Sequence, residues 1–280
     1  MIVCFDTSAI NALYDDPDKR RVTDAIRARA VLRLSEVNVI EVVQTTRAER
    51  RQGLLRLMNE FSDGTLPLAE PMIIVRRIAA AHARGESGFS TSIDPDRRNV
   101  GQALRSPELI DDYSKGVGKQ WSGHVNNEFD SIAVSMREAA QRARPAAEEP
   151  WFRSASAAIR FLMISPGAQF RRFAAMMYAM ETGNQPNEEG LKTVTSHPAW
   201  QLFFAATVFA MQRRSMRAER FARSRVANGA DLHQAVYLAF CDVFVTFDKG
   251  QQRALRFLNA LNRSSATKVE SYPSFRKQYS

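Results

Sequence analysis

Short apolar runs bounded by polar residues occur near both ends of the chain, with helical spacing between them. The strand candidates are residues 2–5, 31–34, 243–246 and 268–272. The first is continuously apolar and the third is apolar up to Thr246, which is typical of parallel strands buried on both faces. Ser35 precedes a stretch with Val39 and Val43 at helical spacing, which predicts a capped helix after the second strand. The alternation predicts an α/β domain with a central, mostly parallel sheet.

The middle of the chain has a different pattern. Residues 53–225 contain long amphipathic stretches separated by glycine- and proline-containing breaks, and no parallel-strand pattern is evident there. We therefore predict a discontinuous core over residues 1–52 and 226–280, interrupted by an all-helical insertion over residues 53–225. An insertion of this length is large enough to form a subdomain of its own.

The helix expected after Pro198 has one apolar side and one basic side. Its apolar side is formed by Trp200, Phe203, Phe204, Thr207, Val208 and Met211. Arg213, Arg217 and Arg220 fall on the other side. These arginines are either a solvated helix end or contacts for the phosphates of a nucleic acid.

Charge and composition narrow the classes of partner. The chain has 280 residues, a net charge of +9 and a pI near 9.9, which favours a polyanionic partner such as nucleic acid. Cys4 and Cys241 lie in apolar runs, so we expect small core residues rather than a disulfide or a zinc site. No signal-peptide or membrane-spanning pattern is present in the sequence, so we expect a cytoplasmic protein without a membrane partner.

Four acidic residues occur where this architecture could bring them together. Asp6 and Asp248 follow strand candidates, Glu41 lies within the Ser35 helix, and Asp231 precedes a late helical stretch. Ligand sites in open α/β sheets form at the carboxyl ends of the strands, and clustered carboxylates suit Mg²⁺ or Mn²⁺. Each acid could instead have a purely structural role, as a turn residue, a helix cap or, for Glu41, a buried acid that needs a partner.

The four acids stand in motifs that resemble those of the PIN-domain nucleases. The motifs are Phe5-Asp6-Thr7-Ser8, the helix from Ser35 to Glu41, Asp231 with Ala235 and Ala239, and Val245-Thr246-Phe247-Asp248. The resemblance covers roughly the first fifty and the last fifty-five residues. It implies a three-layer α/β/α fold, and it departs from a compact PIN domain in the long helical insertion.

The resemblance also implies an activity. Asp6, Glu41, Asp231 and Asp248 would be the catalytic and metal-binding residues, holding one or two Mg²⁺ or Mn²⁺ ions, with Thr7, Ser8 and Thr246 in support. The expected reaction is phosphodiester hydrolysis, with RNA as substrate, in a toxin, a defence effector or an RNA-processing enzyme. A neutralising antitoxin or regulatory protein and a homodimer are the implied partners.

Three other polar residues lie near these motifs in the sequence, and we expect each to have a structural role. We expect Asp242 to cap the late strand, Glu36 to interact with the dipole of its helix, and His233 to be an ordinary surface histidine.

Two other functions remain open to the sequence, and a third is excluded by one residue. The chain could be a non-catalytic PIN-like scaffold that holds RNA or a protein, or a structure-specific DNA nuclease related to the PIN fold. A haloacid-dehalogenase-type phosphatase also begins with a strand-end aspartate. However, it needs a second acid two positions later, where this chain has Ser8.

Overall fold

A computed structural model describes residues 1–62, 65–94, 98–109, 154–164, 168–216, 232–261 and 266–279. The strands are β1 (Ile2–Phe5), β2 (Val31–Arg33), β3 (Val243–Thr246) and β4 (Lys268–Ser271). The helices of the N-terminal part are α1 (Thr7–Tyr14), α2 (Lys19–Arg27), α3 (Glu36–Val43), α4 (Ala48–Ser62), α5 (Pro71–Ala83) and α6 (Arg98–Arg105). The later helices are α7 (Ala155–Ile164), α8 (Ala168–Thr182), α9 (Glu188–Ser196), α10 (Pro198–Met216), α11 (Lys249–Leu261) and α12 (Tyr272–Arg276). Short 3₁₀ helices span Pro107–Leu109 and Gln234–Ala239.

The four strands form one sheet in the order β2-β1-β3-β4, and every neighbouring pair is parallel. Val3 is in register with Leu32 on one side and with Val243 on the other. The central strands are buried on both faces, because consecutive residues of β1 and all of β3 are shielded from solvent. The prediction of an α/β fold with a parallel sheet is therefore confirmed, and the many helices around the sheet are compatible with three layers.

The starts of β1 and β3 are joined at the centre of this sheet. The Asp242 N–H donates to the carbonyl oxygen of Ile2 (2.8 Å), and the Ile2 N–H donates to Asp242 Oδ2 (2.6 Å). Asp242 therefore caps the N-terminal ends of β1 and β3, in agreement with the capping role expected for it.

Aromatic packing holds helices against one face of the sheet. The ring of Phe5 meets Phe61 of α4 edge-on, with centroids 6.3 Å apart, and meets Phe275 of α12 in the same way at 5.4 Å. Helix α1 contacts β1 and β3, whereas α11 contacts β3 and β4. These contacts fix the helices that begin at the carboxyl ends of β1 and β3.

The chain divides into two compact units. The first contains the sheet and comprises the described parts of Met1–Ile74, Ser90–Ser122 and Tyr237–Ser280. The second is helical where it is described and comprises the described parts of Val75–Phe89 and Gly123–Val236. Residues 53–74 thus group with the sheet, whereas the sequence assigned them to the insertion, because Phe61 packs on Phe5 and Leu68 bridges Ser35 and Ser92. The same division groups residues 90–94 and 98–109 with the sheet and residues 232–236 with the second unit, which also differs from the predicted boundaries.

Helix α10 belongs to the second unit, and the one-sided apolar face expected for it is wrong. Trp200, Phe203, Phe204 and Val208 are buried as expected. The residues between them are buried too, namely Leu202, Ala205, Ala206, Phe209 and Ala210. Helices α7 and α9 both contact α10, so small apolar residues on its other sides are also covered.

Candidate functional site

Asp6 is placed at the carboxyl end of β1 by the backbone on both sides of it. Its N–H donates to the Val245 carbonyl oxygen (3.0 Å), which continues the parallel ladder with β3. Its Oδ1 accepts the Ala9 N–H (2.7 Å), so the side chain is the N-cap of α1. The residue is 4% exposed, and its carboxylate is therefore held in one orientation at the sheet edge.

Two hydroxyl groups also contact the Asp6 carboxylate. Ser8 Oγ lies 2.9 Å from Oδ1 and 2.8 Å from Oδ2, and Thr246 Oγ1 donates to Oδ2 at 2.8 Å. Thr246 is fully buried at the end of β3. Supporting residues of the first and fourth motifs therefore contact the same carboxylate.

Ser8 also connects this carboxylate to the turn that carries Asp248. Its Oγ accepts the N–H groups of Phe247 (2.8 Å) and Asp248 (3.1 Å). Asp248 Oδ1 accepts the N–H groups of Gly250 (2.6 Å) and Gln251 (2.9 Å), so Asp248 begins α11 as Asp6 begins α1. Among the described residues, Asp248 Oδ2 has no hydrogen-bond partner, and the side chain is exposed.

A second series of hydrogen bonds joins α1 to α3, the helix of the second motif. Asn38 is fully buried, and its Nδ2 donates to Thr7 Oγ1 (3.1 Å). Asn38 also completes a capping box with Ser35 at the start of α3. Glu41 lies three residues further along α3, on the same side as Asn38, and is half-buried.

Glu36 lies in the first turn of α3, as its expected dipole role requires, and is 1% exposed. Its Oε2 accepts the Glu70 N–H at 3.3 Å, so this carboxylate also holds the following segment.

Several predicted site residues lie outside the described part of the chain. Asp231, Arg217 and Arg220 belong to this group, so the full four-acid set stays a prediction. Arg213 is described: it is half-buried, with its guanidinium 5.2 Å from the centre of the Phe209 ring. Within the described ranges, no group of three or more His, Cys, Asp or Glu residues is placed to hold a metal ion.

The donor chemistry around Asp6 nevertheless fits a hard divalent cation. Asp6 and Asp248 supply carboxylate oxygens, and Ser8 and Thr246 supply hydroxyl groups within the same network. Mg²⁺ and Mn²⁺ take such oxygen ligands and commonly bind through only one or two carboxylates plus waters. Asp248 Oδ2, with no hydrogen-bond partner among the described residues, is the atom best placed by exposure to ligate an ion.

The expectation of a surface histidine at position 233 is wrong. His233 is buried, its Nε2 lies 2.9 Å from Thr207 Oγ1, and its ring centre lies 4.4 Å from that of Phe203. Burial lowers the pKa of His233 from its ordinary value of 6.5 to about 3, so the ring is neutral. Nothing in the sequence indicated that α10 would cover this position.

The two cysteines are free and buried, as expected. Contact with the Cys4 side chain, together with burial, raises the pKa of the Cys241 thiol well above its ordinary value. The Cys241 thiol is therefore protonated and unreactive at neutral pH.

Sequence reasoning missed Gln251. It is 3% exposed, and its Oε1 lies 2.8 Å from Thr246 Oγ1. Its position on the apolar side of α11, in line with Ala254, Leu255 and Leu258, is the signal that could have revealed it.

Among the described residues, no helix combines the length and apolar character needed to cross a membrane. Comparison with known proteins found no matching family model, no matching curated protein and no matching solved structure.

Proposed function

We propose that the chain is a PIN-like, divalent-metal-dependent endonuclease that hydrolyses phosphodiester bonds in RNA. The observation that supports this most directly is the network around Asp6. The aspartates of the first and fourth motifs lie at the carboxyl ends of adjacent parallel strands, and Ser8 is hydrogen-bonded to both motifs. This edge of a parallel sheet is where α/β folds bind their ligands.

The roles of the residues follow from their contacts. A bound Mg²⁺ or Mn²⁺ would activate a water molecule and neutralise charge on the phosphoryl group. Asp6, held by Ser8, Thr246 and the Ala9 N–H, would present a fixed carboxylate to the ion. Asp248 would supply its exposed oxygen, and Glu41 and Asp231 would complete the set. The net charge of +9 favours approach of a polyanion to this site.

The direct test is a cleavage assay on RNA, single-stranded DNA and duplex DNA with Mn²⁺, comparing the unchanged chain with Asp6→Asn. Loss of one ligand oxyanion should reduce cleavage at least about 100-fold, as expected when a group that stabilises transition-state charge is removed. Asp24→Asn is the matched control, because Asp24 is exposed on α2. Equal activity in the Asp6 variant and the unchanged chain would rule out the proposed site.

One observation favours the alternative of a non-catalytic scaffold. Asp6 and Asp248 both act as helix N-caps, a structural role that needs no metal. The two functions differ in metal binding, since an ion that binds only the folded state must raise its melting temperature. A rise in Tm with Mn²⁺ that disappears in Asp6→Asn supports the nuclease. An unchanged Tm supports the scaffold.

The biological setting is part of the proposal. A toxin would require a neutralising partner protein, whereas a defence effector or an RNA-processing enzyme would not. Co-purification of a second protein with the chain from its native host would favour the toxin.

A further inference from the structure

Phe247 is an exposed aromatic residue at the edge of the proposed site. It stands between Thr246, which donates to Asp6, and Asp248, and it is 54% exposed. Its position is fixed, because its N–H donates to Ser8 Oγ at 2.8 Å while the next N–H in the turn is held by Ser8 and Thr246. A rigid turn therefore presents the ring to solvent beside the carboxylates.

The residues that follow Phe247 in the chain are Asp248, Lys249 and Gly250, and all three are exposed. An interface for another protein has a continuous apolar centre, which one ring followed by these residues does not provide. A single exposed ring within a charged surface is instead what base stacking on single-stranded nucleic acid uses.

A basic stripe extends from this turn along α11. Lys249, Arg253 and Arg256 are exposed and are spaced four and three residues apart, so they share one face of the helix over about 10 Å. Among the described residues, Lys249 and Arg253 form no ion pair. The Nε of Arg256 donates to the Val269 carbonyl oxygen (3.0 Å), which fixes that guanidinium.

We propose that Phe247 stacks on an unpaired base next to the scissile phosphate, while Lys249, Arg253 and Arg256 contact the following phosphates. The ring needs an unpaired base, because bases in a duplex stack on one another and leave no face for it. This inference rests on the proposed nuclease function, since it assigns a base-stacking residue and three phosphate contacts to the same site.

Binding without catalysis tests the inference separately from the activity. A fluorescein-labelled single-stranded oligonucleotide of about 12 nucleotides is titrated in EDTA, as RNA and as DNA, and the anisotropy is measured. Phe247→Ala should weaken binding by about 5- to 150-fold, the range for loss of one stacked base. Phe247→Trp should preserve binding. Phe247→Leu, which keeps an apolar side chain without an aromatic face, should resemble the alanine variant.

Two further measurements test whether the Phe247 ring contacts bases and whether the basic stripe contacts phosphates. An oligonucleotide that is abasic throughout should bind the unchanged chain and Phe247→Ala equally. Arg253→Gln should weaken binding to all sequences. It should also reduce the slope of log affinity against log salt concentration by the amount expected for about one phosphate contact. Arg20→Gln, at an exposed position on α2, should leave both unchanged.

The outcomes separate the two proposals. No binding in EDTA, equal binding by Phe247→Ala, or full retention by Phe247→Leu would overturn stacking. Phe247-dependent binding without any Mn²⁺-dependent cleavage would leave the stacking role standing and contradict the nuclease. Cleavage of single strands that is unaffected by Phe247→Ala would support the nuclease and contradict the stacking role. Preference for the RNA or the DNA probe would identify the type of strand.

Discussion

Ser8 Oγ and Thr246 Oγ1 lie 3.3 Å apart although 238 positions separate them in the sequence, and both contact the carboxylate of Asp6. The Ser8 hydroxyl has one proton and two lone pairs, and the structure engages all of them. It donates to Asp6 and accepts from the N–H groups of Phe247 and Asp248. The geometry of the two acidic turns therefore depends on one oxygen atom.

Removing that oxygen should loosen the turn. Ser8→Ala leaves the Phe247 N–H without its Ser8 partner and takes one donor from Asp6. We expect the free energy of unfolding to fall by about 1–3 kcal/mol, measured by urea denaturation. Ser196→Ala is the control, because that exposed hydroxyl bonds only within its own helix, and its effect should be below about 0.5 kcal/mol. Equal effects of the two changes would contradict a linking role for Ser8.

Gln251 allows a test of where the Thr246 proton goes. Thr246 Oγ1 lies 2.8 Å from both Asp6 Oδ2 and Gln251 Oε1, yet its single proton can serve only one acceptor at a time. Gln251→Glu places a second anion beside Thr246, which competes for that proton and repels Asp6. We expect a loss of about 1–3 kcal/mol of stability at pH 7.

Two comparisons check the interpretation of Gln251→Glu. The loss should diminish as the pH falls below about 5, where a glutamate can protonate. Gln251→Met has a similar shape without charge and should be pH-independent over the same range. If both variants lost stability equally at every pH, the charge argument would be wrong.

The ion pair of Asp16 with Arg276 should appear in the acid denaturation of the protein. Arg276, which donates to both carboxylate oxygens, is the main reason that the pKa of Asp16 falls from 3.8 to about 2. Because the folded pKa is depressed, the stabilisation is complete above about pH 4 and is lost as the pH falls toward about 2.

Arg276→Gln tests this pH dependence. It should reduce stability at neutral pH and make the decline between about pH 4 and pH 2 shallower, measured by urea denaturation across that range. Arg21→Gln, which removes the exposed pair with Asp18, should change neither quantity measurably. If stability declined between about pH 4 and pH 2 as steeply in Arg276→Gln as in the unchanged chain, Asp16 would not be the titrating group.

A packing prediction concerns Gly53 on α4. A β-carbon at this position would lie 2.3 Å from Tyr14 Oη and within 2.8 Å of two ring carbons. Gly53→Ala should therefore destabilise the protein by about 1–3 kcal/mol, despite the better helix propensity of alanine. In a Tyr14→Ala background the same change should stabilise it by up to about 1 kcal/mol, as judged by Tm. The sign reversal is the measurement that decides between overpacking and a backbone requirement.

Much of the sheet could be predicted from the sequence, since β1 and β3 are short apolar runs with few alternatives. The aspartate after each run follows from the general placement of ligands at strand ends. The hydroxyl contacts could be anticipated only as support, because the acceptor role of Ser8 depends on a turn more than two hundred residues away.

The enclosure of α10 could not be predicted in the same way. Alanines such as Ala205 and Ala206 are compatible with either a covered or a solvated face, and only the neighbouring helices decide between them. The burial of His233 follows from the same packing, because its ring lies against Phe203 and Thr207 of α10.

The pairing of β1 with β3 also has a kinetic consequence. β1 is synthesised first, but one of its two neighbours in the sheet begins only at Val243. At about 5–20 residues per second, the ribosome needs roughly 10–50 s to deliver that neighbour. For this interval β1 has a partner only in β2, and one apolar edge of the nascent sheet stays open to other chains. Production of the intact protein should therefore depend on chaperones that occupy newly made chains for tens of seconds.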